Sequence, residues 1–251
     1  MCAGFSFALG IEPWLYYGLF AFFSTLVAYN GQRLFKAKEG KNTPWLSWVR
    51  AHSKSLLGIT VFSILAAGIC LLQIIQLKYD ALLLLIFASV SSVLYVIRIG
   101  NKNAREVPYL KIHLIAFTWV FVLVLFPVLN ENIEVHVLWM FVAHYFYVVA
   151  VTIPFDIRDL KYDDPSHKTI PQVLGVFFAK INGIVLLILF FGIMLWQEPA
   201  LISNWIFHIA VLIQVLLVAF MNEKRSDFYC AGLIDGAIAL LGVSYFFTVL
   251  V

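Results

Sequence analysis

The stretch LGVFFAKINGIVLLILFFGIMLW, residues 174–196, carries one charge, Lys180, in 23 residues. As a helix it covers the roughly 30 Å of a bilayer's hydrocarbon core, which takes about 20 residues at 1.5 Å each. A sheet or an open loop is excluded at that depth, because backbone groups in lipid must find their partners within the segment.

Working outward, segments of the same kind run approximately over Pro13 to Leu34, Ser55 to Leu77, Tyr79 to Ile97, Tyr109 to Leu129, Ile133 to Phe155, Ile202 to Met221 and Phe228 to Val251. The expected fold is therefore all-α, a polytopic transmembrane bundle of about eight helices, with residues 1–251 forming a single integral membrane domain. The composition agrees. With 63% hydrophobic and 12% charged residues, the chain has more apolar surface than a soluble domain of 251 residues hides in one core. Between the second and third segments only Gln76, Lys78 and Asp80 are polar, and the pair is too long for one crossing, so a tight hairpin is expected.

The basic residues set the orientation. Sixteen of the 17 Lys and Arg fall in alternate loops: Arg33 to Lys54, Arg98 to Lys111, Arg158 to Lys180, and Lys224 with Arg225. Lys78 alone lies opposite, with Glu131, Glu134 and Glu198. By the positive-inside rule the sixteen face the cytoplasm, in a membrane expected to be a bacterial inner membrane. Loops of mixed charge speak against a nucleic-acid partner; membrane lipids are the expected surroundings. Cys2, Cys70 and Cys230 have neither metal-ligand nor disulfide-framework spacing. Met1 to Gly10 is apolar, lacks a basic n-region and is too short to span, so it reads as an outer-face tail or as the stump of a preceding helix.

The chemistry concentrates in PFDIRDLKYDD, residues 154–164, where the fifth segment leaves the membrane. On a continued helix Asp156, Asp159 and Asp163 fall within about 60° of arc. Three like charges on one face repel unless a cation shares them, and oxygen-only ligands suit Mg²⁺ bridging to phosphate. A solvated helix cap balanced by Arg158 and Lys161 is the other reading of the same spacing. Asp235, inside the last segment, must face the bundle interior, as a polar contact at a cavity mouth or as an interhelical hydrogen bond. His144 lies roughly 18 Å from Asp156 along the same helix, too far to share its ion. The 41 aromatic residues mostly suit lipid-facing and interface positions.

The aspartate run, together with HKTIPQVLG at residues 167–175, resembles the second signature of the UbiA superfamily of membrane prenyltransferases. The resemblance extends over essentially the whole chain. It implies a nine-helix fold with two aspartate motifs in the cytoplasmic loops after helices two and six. The first and fifth segments here match those helices, so the chain looks like the family without its first helix, and residues 1–10 like that helix's remnant. The family's first signature, NDxxDxxxD, falls on NGQRLFKAK at residues 30–38: Asn30 remains, while the carboxylate positions hold Gly31, Leu34 and Lys38.

The implied activity is transfer of an isoprenoid chain from its diphosphate to an aromatic or other lipophilic acceptor, assisted by Mg²⁺. Asp156, Asp159 and Asp163 are the implied catalytic and metal-binding residues. Asn30, Arg33, Lys36, Lys111, Arg158, Lys168 and Asp235 are the implied substrate-binding set. The basic residues that replace the first motif can neutralise phosphate oxygens directly, and serve equally as anchors to anionic headgroups; Lys111 at a helix end has the parallel reading of a snorkelling lysine. The alternative function is a catalytically degenerate relative that binds an isoprenoid lipid or acts as a membrane partner protein.

Overall fold

The apolar stretch at 174–196 lies within the longest helix of a computed structural model, which describes residues 1–38, 44–74, 77–99, 102–161 and 163–248. In chain order the helices are α1 Cys2–Ala8, α2 Trp14–Lys38, α3 Pro44–Ala51, α4 Ser53–Gln73, α5 Tyr79–Leu94, α6 Leu110–Val120, α7 Phe126–Glu131, α8 Val137–Asp159, α9 Ile170–Gln197, α10 Trp205–Ala219 and α11 Asp235–Ser244. The π-helical turn Phe121–Leu125 joins α6 to α7, and a second one, Tyr229–Ile234, leads into α11. A two-residue antiparallel pair, β1 Arg98–Ile99 and β2 Lys102–Asn103, interrupts the helices.

Five helical spans among the described residues are long and apolar enough to cross a membrane, and they mark the chain as a membrane protein: Ser53–Gln73, Leu110–Glu131, Val137–Asp159, Ile170–Gln197 and Tyr229–Phe247. This is fewer than the eight expected, for two physical reasons. Helices α5 and α10 are apolar but only 16 and 15 residues long. α2 has the length, at 25 residues, but its tyrosines and Asn30 dilute its apolar character. Residues 75–76 of the expected hairpin, Lys41 of the first basic loop and the chain's last three residues lie outside the described residues, as do the side chains of Arg98, Lys102 and Arg105.

Helix α8 is the axis of the bundle. Its membrane-length window is 61% buried, against 22% for α9, so α8 is enclosed by protein while α9 presents most of its surface outward. Its longest interface is with α9, and α2 pairs chiefly with α4. The short α1 is part of this core: Phe5 is fully buried, edge-on to His144 and Tyr245. Close approach of α1 to α11 requires glycine on both sides, since a Cβ on Gly4 would stand 1.9 Å from the Gly242 carbonyl oxygen.

The KTIPxxLG segment folds as a capped turn followed by a break. The side chain of Gln172 accepts the Thr169 N–H at 2.9 Å, and Pro171 fills a first-turn position where its missing N–H costs nothing. Gly175 then takes φ 76°, ψ 161°, a region open essentially to glycine alone, and the helix resumes at a new angle.

At the end of the bundle away from this segment, buried polar locks close the helix pairs. Asn130 accepts the Lys78 N–H at 3.0 Å and donates to the Tyr17 hydroxyl at 2.7 Å, while that hydroxyl donates to Glu131. Asn204 caps α10 through Phe207 N–H at 3.0 Å and donates to the Ser244 carbonyl at 2.8 Å and to the Thr248 hydroxyl. Glu198, just past α9, is 7% exposed, and burial pushes its carboxyl up to about 7. A raised acid binds its proton more tightly folded than unfolded, so stability is fullest below the ordinary value of 4.5 and declines as the pH rises through about 7. Glu198→Gln should abolish that decline: its melting temperature in detergent should stay level from about pH 5 to about pH 8, while the parent chain's falls. Parallel pH curves for the two proteins would refute the assignment.

Candidate functional site

Helix α8 delivers Asp156 and Asp159 at its last turn, and its backbone continues one step further, with Asp163 N–H donating to the Asp159 carbonyl at 2.9 Å. Successive residues turn by 100°, so Asp163 points back nearly along the direction of Asp156, and Asp159 points about 60° away from it. The three carboxylates divide accordingly. Lys111, at the start of α6, places Nζ 2.8 Å from Asp156 Oδ1 and 2.8 Å from Asp163 Oδ2. Asp159 turns the other way and accepts from Arg158 Nε at 2.8 Å.

Burial gives this arrangement its weight. Asp156 is 1% exposed and Lys111 8%. An ion pair removed from water costs several kcal/mol per charge in desolvation, and each member holds the other in place because neither tolerates being left alone. Lys111 donates to Asp163 and faces Asp156 Oδ1 at the same distance, so its ammonium is the one cation that both carboxylates share. Beside them lies a hollow of about 40 Å³, lined by Lys111, Asp156, His167 and Thr169 among others. His167 Nδ1 is buried there without a hydrogen-bond partner. A hollow of that size has room for one water molecule.

The loops that frame the cluster are stitched together. The Tyr109 N–H donates to the His167 carbonyl at 3.2 Å, with Tyr109 and Lys168 both in left-handed backbone conformation, and the Lys168 ammonium sits 5.9 Å from the Tyr109 ring centre. His167 Nδ1 lies 3.9 Å from Asp163 Oδ1. Sequence reasoning missed His167, although its place four residues after Asp163 was the available signal.

Next to the cluster opens a cavity of about 650 Å³ between α2, α4, α5 and α6. Its walls are mainly apolar, with Phe20, Leu85, Ile115 and Trp119 among them, and its polar rim carries Tyr29, Gln32 and Tyr95. Tyr95 lies within electrostatic reach of Lys111, and Tyr29 within reach of Arg33, Tyr95, Arg158 and Asp235. Two lining residues, Tyr29 and Tyr95, thus lie within charge range of the cluster's Arg158 and Lys111.

Of the remaining expected residues, Asn30 is buried on α2, Arg33 and Lys36 are partly buried on the following turns, and Lys168 is exposed. Arg158 reaches Asp227 at 3.6 Å as well as Asp159, tying the end of α8 to the approach to α11. Asp235 follows the second π-helical turn and is exposed on α11 rather than sunk in the bundle interior. His144 is a core residue: its Nδ1–H donates to the Met140 carbonyl at 2.9 Å, leaving Nε2 to accept from Tyr245.

For magnesium the donor set fits poorly. Two carboxylates converge, but on an ammonium, and the third faces a guanidinium. Among the described residues no three His, Cys, Asp or Glu side chains are grouped to hold an ion. What the arrangement does chemically is hold a polar plug of three carboxylates and two cations beside an apolar chamber. Comparison of the chain with family models, curated proteins and solved structures returned no match.

Proposed function

We propose that this chain is a UbiA-like membrane prenyltransferase of eight crossings that moves an isoprenoid chain from its diphosphate to a lipophilic acceptor. The observation that carries the proposal is the 650 Å³ apolar cavity ending on the rim of Tyr29, Gln32 and Tyr95 beside the charged cluster. An isoprenoid tail suits the apolar walls, and its diphosphate suits a mouth supplied with Arg33, Lys36 and Lys111. The mouth faces the cytoplasm of a bacterial inner membrane by the distribution of basic residues.

In this reading the bond between the allylic carbon and the diphosphate oxygen breaks, and the diphosphate leaves with the electron pair. The allylic cation is met by the π faces of the rim tyrosines and Trp119, in a chamber that excludes water. An electron-rich carbon of the acceptor closes the new bond and gives up a proton. Cations at the mouth stabilise the departing charge.

One observation favours the second reading, an isoprenoid-binding relative without turnover: Lys111 engages two of the three motif carboxylates from within the protein. Purified protein given labelled farnesyl or geranylgeranyl diphosphate and a panel of lipophilic acceptors separates the two. Release of diphosphate with transfer of label supports the transferase. Saturable binding with no release supports the second reading and removes the first.

A further inference from the structure

A metal-bearing aspartate motif presents oxygens to an ion and, through it, to phosphate. Here each carboxylate of the 156–163 run has an internal cation. Asp156 and Asp163 share Lys111 at 2.8 Å each, and Asp159 takes Arg158 at 2.8 Å. The stretch on α2 that aligns with the first signature differs in kind. Residues 30–38 contain Arg33, Lys36 and Lys38 and not one acidic residue. Arg33 pairs with no carboxylate among the described residues, and it lies one turn beyond Tyr29, within electrostatic reach of that rim residue. Each motif carboxylate is thus already engaged by a cation of the protein, while Arg33 on α2 has no carboxylate partner among the described residues.

We infer that the ligand's diphosphate is held by direct contact with side-chain cations of α2, Arg33 foremost, with no divalent ion between protein and phosphate. This rests on the isoprenoid-diphosphate reading above. Lys111 acts as a positioning residue: its ammonium takes the place between Asp156 and Asp163 that an ion would fill, and keeps both carboxylates turned away from the phosphate. A guanidinium supplies two parallel donors to phosphate oxygens, which gives the contact direction as well as charge.

The test is equilibrium binding of farnesyl thiolodiphosphate, which resists cleavage, to the full chain in detergent micelles, in excess Mg²⁺ and in excess EDTA. The affinity should agree within about twofold between the two conditions, and Arg33→Gln should weaken it about tenfold in both, as loss of a hydrogen bond to a charged group does. Asp163→Asn should leave affinity unchanged or raise it, because the carboxylate is not a ligand and its loss releases one Lys111 donor. Size-exclusion profiles and melting curves report whether each variant is folded. A tenfold loss in EDTA, or loss of binding in a folded Asp163→Asn protein, overturns this inference and leaves the isoprenoid-diphosphate reading intact. Absence of binding in both conditions overturns the two together.

Discussion

Replacing Lys111 with methionine should lower the stability of the folded chain by about 3–5 kcal/mol, the usual result of removing one member of a buried ion pair. The substitution keeps the length of the side chain and deletes only the ammonium, so packing is little disturbed. What remains is Asp156, 1% exposed and without a hydrogen-bond donor on either oxygen, facing Asp163 with no cation between them. A second substitution tells charge from packing. Adding Asp156→Asn to Lys111→Met should recover most of the loss, since a neutral amide needs no counter-ion there, whereas Asp159→Asn should recover none, its partner being Arg158. Chemical unfolding in detergent, followed by circular dichroism, measures the three differences. A Lys111→Met protein as stable as its parent would mean that the pair contributes nothing to the fold.

The sequence made some of this legible and hid the rest for identifiable reasons. Membrane character and all-helical structure follow from hydropathy and segment length, which are local properties that each stretch carries alone. The number of long apolar spans does not, because α5 and α10 come out short and α2 mixes Tyr16, Tyr17, Tyr29 and Asn30 into its apolar run. Periodicity placed Asp156, Asp159 and Asp163 near one face, but the roughly 60° and 40° between Asp159 and the other two separate the ion-pair partners in space. The lysine that divides them comes from 45 residues earlier than Asp156, on another helix, and no local pattern announces such a contact. Lys111 stood among the expected residues as a phosphate contact, and its position between two carboxylates is a fact of tertiary packing. Tyr29 and Tyr95 belong to the same class: each is one aromatic among 41, and only the fold brings them to one rim.

Plugging the chamber separates its role from that of the charged mouth. Thr118 lines the cavity on α6, seven residues beyond Lys111, or about 10 Å further along the helix axis. An isoprenoid chain seated with its headgroup near Lys111 must pass this level to use the depth of the chamber. Thr118→Trp should therefore weaken binding of farnesyl thiolodiphosphate at least tenfold, a loss of about 1.4 kcal/mol. Stability should hold, since the indole enters space that already exists and overpacking costs arise only where there is none. Thr118→Val keeps the size of the side chain and should bind as the parent does. Short-chain dimethylallyl thiolodiphosphate supplies the internal control: it ends above the obstruction, so its affinity should be the same for Thr118→Trp and the parent. If the tryptophan variant binds the long and the short ligand as the parent does, the chain does not run through this cavity. If it loses both equally, the obstruction acts on the headgroup site and not on the tail. Only selective loss of the longer ligand fits a chamber that measures the hydrocarbon while the mouth holds the phosphate.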